Sequence, residues 1–236
     1  VEKSVRLLDL FLYDYDVVVT NPPYLGSGKM GEDLKKFVKD NYRGSSDLYT
    51  AFIERCGEFA GENDYSTLVT PENFMFLYSY RGLRAQMIEN EQFIEGMHLS
   101  RYGFAQQKDV YTIPFVLRNS DPSEFTASRF YRMTEEQKEY ENYEDKISGL
   151  NEITEANRSS ERHKDVYVVD QNSFKEIGRT PFVYWFGQEI LHLFTEYEKL
   201  NNIAELIIGF QTGNDEQFVR KWWEVEKSDI DKKYRW

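Results

Sequence analysis

The tetrapeptide Asn21-Pro22-Pro23-Tyr24 directly follows a short apolar run, and its residue types suit chemistry on a planar amine. Each proline fixes its own φ, lacks a backbone N–H and pushes the preceding residue towards an extended conformation. The pattern therefore predicts a stiff loop with exposed carbonyl groups. The Asn21 side-chain oxygen and the Pro22 carbonyl can then accept two hydrogen bonds from one exocyclic NH2, while the Tyr24 ring faces the substrate. A sulfonium leaving group needs no strong general base, so catalysis would rest on orientation and electrostatics.

A second motif in the same stretch, residues 26–31 (GSGKMG), matches G-x-G-x-x-G. A dinucleotide-binding turn needs its first glycine immediately after the strand. Here residues 21–25 intervene after Thr20, and two of them are prolines, which cannot donate to a phosphate. A P-loop is also excluded, since Met30 follows Lys29 where Ser or Thr is required. We therefore interpret residues 26–31 as a glycine loop that covers the site.

The elements around the tetrapeptide alternate between strands and helices, which predicts a mostly parallel α/β sheet. The β-branched run 15–20 is typical of a strand buried on both faces. Pro114 weakens the prediction of a strand at 111–118 or places that strand at an edge. The tetrapeptide would lie at the carboxyl edge of the sheet, where ligands bind in open α/β folds. The other predicted strands are 66–70 and 93–100, and the predicted helices are 32–42, 46–59 with Ser46 as N-cap, and 79–90.

Composition narrows the class of protein. The chain has 236 residues, a net charge of −12 and one cysteine, Cys56, which indicates a cytoplasmic protein without an internal disulfide. It contains no apolar stretch long enough for a membrane span, so we expect no membrane partner. The acidic balance argues against a uniformly basic nucleic-acid binder but allows a local basic groove. The three histidines, His98, His163 and His192, are too scattered to predict a metal site.

The stretch around Asn21 resembles the catalytic motif of class I, S-adenosylmethionine-dependent DNA N6-adenine methyltransferases of the gamma group. Residues 47–54, 68–71 and 103–108 are similar to later segments of that group. The resemblance implies that Phe104 and Tyr24 stack on the two faces of a flipped adenine, and that Gln107 and Lys108 contact DNA. Stacking helps to offset the cost of extruding a base. Tyr102 is the nearby alternative to Phe104, and Phe104 could instead be an ordinary core aromatic residue.

The whole chain is similar to the large methyltransferase of BREX phage-defence systems and to type IIG restriction-modification enzymes. The similarity lies in residues 21–26, 46–49, 182–186 and 209–213. It implies an α/β fold, the C-terminal part of a Rossmann-like class I methyltransferase sheet, followed by the start of a target-recognition region. The expected divisions are a partial catalytic domain at 1–133, a polar insertion or linker at 134–165, and a connector with the start of the recognition region at 166–236.

One departure from the family concerns the cofactor. Its glycine-rich turn and acidic residue for S-adenosylmethionine precede the catalytic motif, and residues 1–14 contain no such turn. The resemblance therefore implies a fragment that is inactive in isolation and binds the cofactor weakly or not at all, with Asn21 close to the cofactor. The full-length parent is expected to use S-adenosylmethionine, to act on DNA, and to work with other phage-defence or restriction components.

Two alternatives of different kinds remain open from the residues. The same tetrapeptide occurs in methyltransferases of other planar amines, namely protein glutamine and RNA guanine. The chain could instead be a non-catalytic DNA-recognition or scaffold piece, in which Trp222, Trp223, Arg220 and Lys221 contact DNA or a partner protein.

Overall fold

The computed structural model describes residues 2–104, 110–204 and 224–229. Its centre is a six-stranded sheet with the strand order β1-β2-β4-β3-β5-β6. The strands are β1 (Tyr15–Thr20), β2 (Ala60–Pro71), β3 (Gln92–His98), β4 (Thr112–Arg118), β5 (Ala127–Arg132) and β6 (Val166–Asp170). The α/β class expected from the sequence is confirmed, but the mostly parallel pairing is wrong, because three of the five strand pairs are antiparallel.

The direction of the strands places four carboxyl ends together. β4 is antiparallel to both β2 and β3, so β2 and β3 run in the same direction. β1 is parallel to β2, β5 is parallel to β3, and β6 is antiparallel to β5. The carboxyl ends of β1, β2, β3 and β5 therefore meet at one edge of the sheet, the carboxyl edge. Thr20, Pro71, His98 and Arg132 are the last residues of these strands.

Seven α-helices accompany the sheet in the described part of the chain: α1 (Glu2–Leu10), α2 (Glu32–Asn41), α3 (Leu48–Phe59), α4 (Arg81–Asn90), α5 (Tyr143–Arg158), α6 (Gln188–Glu196) and α7 (Leu200–Ile203). The predicted N-cap of α3 is wrong by one residue. Asp47, and not Ser46, caps this helix, because its carboxylate accepts a hydrogen bond from the Tyr49 N–H. α4 begins at Arg81, after a 3₁₀ turn at Tyr78–Tyr80.

Aromatic rings form much of the core. Phe93 stacks on Phe130 with ring centroids 4.9 Å apart, and Phe130 stacks on Tyr184 at 4.1 Å with an interplanar angle of 2°. Phe182 is fully buried beside them, with its ring 5.7 Å from that of Phe93. These rings join the sheet to residues far along the chain, so the many aromatic residues of the sequence serve first as buried area.

Strand β1 differs from its prediction as a strand buried on both faces. Val17 is 56% exposed and Val19 is 72% exposed. β1 lies at the end of the sheet and pairs only with β2 among the described strands. A β-branched run suits any pleated position, so it does not by itself identify a central strand.

Pro114 lies in β4, the strand between β2 and β3, so its placement in an edge strand is wrong. The ladder between β3 and β4 reaches Phe115 opposite Gly96. Pairing resumes only at the isolated bridge between Ser100 and Thr112. Pro114 therefore falls within an interruption of the β3–β4 ladder, where no donor is needed on the β3 side.

The polar segment 134–165 is more packed than its composition indicates. It contributes α5, in which Lys146 is only 2% exposed. The Lys146 ammonium donates to the carbonyl oxygens of Leu99 and, at 2.9 Å, Met133. Strands β5 and β6, on either side of this segment, were not predicted, and they extend the sheet beyond β3.

The chain forms two compact units, Val1–Tyr197 and Glu198–Trp236. The boundaries expected near residues 133 and 165 stay predictions. In the part of the chain that the structure describes, no helix combines the length and apolar character needed to cross a bilayer. The same residues contain no group of three or more His, Cys, Asp or Glu side chains placed to hold a metal ion.

Candidate active site at the carboxyl edge

The predicted catalytic loop leaves the carboxyl end of β1. Asn21 and Pro23 are exposed, Pro22 is buried and Tyr24 is half-buried. The Tyr24 hydroxyl lies 3.0 Å from the Asn21 Oδ1 and 3.0 Å from the Val69 carbonyl oxygen, and its one proton is shared between these two acceptors. Asn21 is therefore anchored to the neighbouring strand β2 through Tyr24, with its amide still open to solvent.

Two further tyrosines support the ring of Tyr24. It meets the Tyr49 ring edge to face, with centroids 6.1 Å apart, and Tyr49 in turn contacts Tyr80 at 6.1 Å. Burial raises the pKa of the Tyr24 hydroxyl. The hydroxyl therefore stays protonated at neutral pH and remains a hydrogen-bond donor to Asn21.

Asp47 ties the catalytic loop to the start of α3. Its Oδ1 accepts from the Leu25 N–H at 3.0 Å and from the Tyr49 N–H at 3.3 Å. The Leu48 N–H donates back to the Leu25 carbonyl at 2.9 Å. Burial raises the pKa of Asp47, while hydrogen bonds from backbone N–H groups act in the opposite direction. One side chain thus caps a helix and fixes the loop.

The turn before α3 is held by α3 itself. The Glu54 carboxylate accepts from the Arg43 N–H at 3.1 Å and from the Gly44 N–H at 2.6 Å. A Cβ on Gly44 would lie 2.7 Å from the Thr50 Cβ, so only glycine fits at this close approach. The Thr50 hydroxyl donates to the Gly44 carbonyl at 2.5 Å. Asp47 is therefore presented on a rigid turn.

The loop after β3 carries Phe104 to the surface, where the side chain is 38% exposed. Ser100 and Tyr102 have φ angles of 53° and 56°, left-handed conformations that are uncommon for residues other than glycine. A Cβ on Gly103 would lie 2.4 Å from the Thr112 Oγ1, so glycine is required at position 103. The exposure of Phe104 does not fit an ordinary core aromatic residue. Its stacking against Tyr24 stays a prediction.

Several predicted contact residues lie outside the described residues. These are Gln107 and Lys108 in the Phe104 loop, and Arg220, Lys221, Trp222 and Trp223 near the end of the chain. Their expected contacts with DNA therefore stay predictions.

Sequence reasoning missed the contribution of Asp47 to the catalytic loop. The residue pattern at 46–49 predicted a helix start, and the structure adds the hydrogen bond to Leu25, which lies 22 residues earlier. The only available signal was an N-cap residue type next to a proline-rich loop.

The glycine-rich stretch 26–31 is joined to the start of α3 through a bridge between Gly26 and Asp47. Gly26 and Gly31 have φ angles of −62° and −63°, and no glycine in the described ranges has a positive φ. This stretch therefore lacks the turn geometry of a nucleotide cradle.

Part of the chain matches a known protein family. Residues 11–104, which include Asn21 and Phe104, match the Eco57I restriction-modification methylase family. The resemblance predicted from the catalytic motif is thereby confirmed.

Curated relatives extend the similarity beyond the methylase segment. The chain is 31% identical over 221 residues to the adenine-specific methyltransferase BrxX of Escherichia coli O9:H4 (strain HS). It is 32% identical over 219 residues to the adenine-specific methyltransferase PglX of Lacticaseibacillus casei (strain Zhang). The matches cover 92% and 90% of this chain and 17% of each relative. The chain thus spans about a sixth of the length of these relatives.

A solved structure supports the fold. The methyltransferase subunit of a type I restriction-modification system from Streptococcus thermophilus superposes with a TM-score of 0.52 at 16% identity, covering 73% of this chain and 38% of that subunit. At this identity the comparison shows a shared fold.

Proposed function

We propose that this chain is the acceptor side of the catalytic site in a longer DNA adenine-N6 methyltransferase of a restriction-modification or phage-defence system. The longer protein transfers a methyl group from S-adenosylmethionine to a flipped adenine. The observation that carries the proposal is the Asn21 amide, held open to solvent at the carboxyl end of β1 by the Tyr24 hydroxyl 3.0 Å away. The matches to adenine-specific methyltransferases support adenine as the acceptor.

Each side chain of the loop has a defined task in this proposal. The Asn21 Oδ1 and the Pro22 carbonyl accept hydrogen bonds from the adenine amino group and keep its lone pair directed at the electrophile. The Tyr24 ring stacks on one face of the base, and Phe104 on the other. Orientation and electrostatics supply the catalysis, because a sulfonium leaves without help from a strong base.

The remainder of the activity belongs to other parts of the longer protein. A span of 17% of each relative leaves most of their length outside this chain. We infer that the principal cofactor-binding residues lie in the part of the longer protein outside this chain. The isolated chain is then expected to bind S-adenosylmethionine weakly or not at all, and calorimetric titration tests this directly.

The test compares adenine methylation in cells that carry the full-length gene with cells that carry its Asn21→Ala version. Single-molecule sequencing of the genome detects the mark and reads the target motif. Asn41→Ala is the matched control, since Asn41 lies on α2 and donates only to the nearby Phe37 carbonyl. We expect a defined adenine motif to lose its methyl group in Asn21→Ala and to keep it in the control.

The opposite result is equally clear. If the same adenine motif remains methylated in Asn21→Ala cells and disappears when the whole gene is deleted, Asn21 is not the residue that orients the acceptor. If no adenine mark depends on the gene, the acceptor is not DNA adenine.

A further inference from the structure

A cavity of about 550 Å³ opens at the carboxyl edge, beyond β2 from the catalytic loop. Its walls come from the ends of β2, β3 and β5, from both ends of the Phe104 loop and from the segment before α6. The lining residues that carry the argument are Glu72, Phe76, His98, Arg101, Arg132 and Trp185. Its volume lies within the range of small-ligand sites.

Aromatic rings and arginines alternate around this cavity. The Arg132 guanidinium lies 4.9 Å from the centre of the Trp185 ring, and the Arg101 guanidinium lies 5.0 Å from that of Tyr111. The Phe76 ring meets Trp185 at 5.6 Å. Rings and guanidinium planes are the surfaces on which unstacked nucleobases stack.

The floor of the cavity is a hydrogen-bonded network of polar side chains. His98 is 4% exposed, and its Nε2 lies 2.8 Å from a Glu72 carboxylate oxygen. Its Nδ1 lies 2.7 Å from the hydroxyl of buried Tyr184. Such a network is held in one orientation, and its carboxylate can accept from an amino group on a base edge.

The charges of the cavity favour a base over a bare phosphate. Glu72, Glu135 and Glu136 all line it, and they repel an anion. Arg132 is paired with Glu136 at 2.6 Å, and its Nε is buried without a hydrogen-bond partner.

The cavity is also connected to the proposed catalytic site. Glu72 directly follows β2, whose Leu68 pairs with Thr20 just before Asn21. The Glu72 N–H donates to the Tyr111 carbonyl at 3.0 Å, so the cavity wall and the Phe104 loop are joined.

We propose that this cavity binds a second, unstacked nucleobase of the DNA substrate, separate from the target adenine. The inference rests on the proposed function, because that function brings DNA to the carboxyl edge. The rings of Phe76 and Trp185, with the Arg132 guanidinium beside Trp185, hold the plane of the base. Glu72 accepts from an amino group on its edge, and Arg101 faces the attached phosphate.

The test uses the 236-residue chain labelled with 5-fluorotryptophan and observed by ¹⁹F NMR. The chain has four tryptophans, and the Trp185 signal is the one lost in Trp185→Phe. The probes are the four deoxynucleoside 5′-monophosphates, with ribose 5-phosphate as the control that lacks a base. We expect a saturable shift of the Trp185 signal with at least one nucleotide and none with ribose 5-phosphate.

Variants locate the binding. Arg132→Gln and the exposed Arg101→Gln should each raise the apparent Kd at Trp185 by about fivefold or more. Asn21→Ala should leave this Kd unchanged, because the target adenine occupies a different place. The dispersion of the fluorine signals shows that each variant is folded.

Three outcomes would overturn the second-base site. They are a Trp185 signal that does not respond at the highest soluble nucleotide concentration, an equal response to ribose 5-phosphate, and loss of the response in Asn21→Ala. None of them depends on methyl transfer. Failure here is therefore distinct from failure of the proposed function, which is scored by the adenine mark in cells.

Discussion

At the scale of single residues, the hydroxyl of Tyr24 has a task separate from that of its ring. The ring is positioned by Tyr49, whereas the hydroxyl joins Asn21 to the Val69 carbonyl. A hydroxyl that fixes the amide limits the rotation of Asn21 before substrate arrives. Preorganised acceptors lower the barrier because they need no reorientation during reaction.

We expect Tyr24→Phe in the full-length protein to lower kcat for adenine methylation about fivefold, because a lost hydrogen bond is worth about 1 kcal/mol and about 1.4 kcal/mol is tenfold in rate. The KM for DNA should change little, since the ring remains. Steady-state methylation assays measure both constants. Tyr13→Phe, at a tyrosine that is 60% exposed, is the matched control. An unchanged kcat in Tyr24→Phe would show that the hydroxyl does not orient Asn21.

At the scale of elements, the start of α3 determines the position of the catalytic loop. Asp47 accepts from the first turn of its own helix and from Leu25 in the loop. We predict that Asp47→Ala lowers the free energy of unfolding by about 1–2 kcal/mol through loss of the cap. Asp47→Asn should restore most of it, because the amide oxygen still accepts. Urea unfolding measures the change.

Asp40→Ala is the control for this substitution, since Asp40 is exposed on α2 and caps no helix. If Asp47→Ala and Asp40→Ala unfold at the same urea concentration, the cap contributes nothing to stability. The loop would then be held by the backbone hydrogen bonds from Leu48 to Leu25 and from Ser27 to Ser46, and by the Tyr24 hydroxyl.

A second contact between elements depends on Arg84 of α4, which is 1% exposed. Its guanidinium donates to the Phe74 carbonyl at 2.6 Å, the Leu77 carbonyl at 2.8 Å, the Arg179 carbonyl at 2.9 Å and the Thr180 carbonyl at 3.0 Å. It therefore joins the turn after β2 to the segment before Phe182. Burial lowers the pKa of Arg84 to about 10, which leaves it charged at neutral pH.

We expect Arg84→Met to lower the free energy of unfolding by about 3 kcal/mol or more, because buried carbonyl groups lose their donors. Thermal unfolding followed by circular dichroism measures the loss. Arg81→Met is the comparison on the same helix, since Arg81 is exposed and makes one hydrogen bond, to the Tyr78 carbonyl at 3.3 Å. A similar melting temperature for the two variants would contradict a structural role for Arg84.

At the scale of the whole molecule, one buried carboxyl group makes stability depend on pH. Burial, with a smaller contribution from the charge of Glu54, raises the pKa of Glu91 from its usual 4.5 to about 8. The folded chain therefore holds a proton that the unfolded chain releases between these two values. Stability from this group is complete below pH 4.5 and is lost as the pH rises through about 8.

Glu91→Gln should remove this dependence. In the wild-type chain, Glu91 should lower the free energy of unfolding by about 1.4 kcal/mol for each pH unit between pH 4.5 and about 8. The difference in the free energy of unfolding between the variant and the wild type should therefore be more favourable to the variant at pH 9 than at pH 5. Urea unfolding measures this difference. Glu89→Gln is the control at an exposed neighbour on α4. Parallel pH profiles for wild type and Glu91→Gln would show that Glu91 is ionised in the fold.

Local signals in the sequence determined the catalytic loop and most elements near it. Two prolines restrict their own φ and that of the residues before them, and the apolar run 15–20 favours a strand whatever its neighbours are. α2 and α3 were predicted to within one or two residues for the same reason, because caps and apolar spacing act within a few residues. These features also carried the resemblance to adenine methyltransferases.

Only the tertiary structure decided the features that depend on distant pairs. Strand β1 is exposed and Pro114 is central because position in a sheet depends on which strands pair, which a local pattern does not encode. The tether from Asp47 crosses 22 residues, and the contact of His98 with Tyr184 crosses 86. Such contacts form when the whole chain packs. The Asn21-Pro22-Pro23-Tyr24 motif is therefore readable in the sequence, whereas the tether and the neighbouring cavity exist only in the fold.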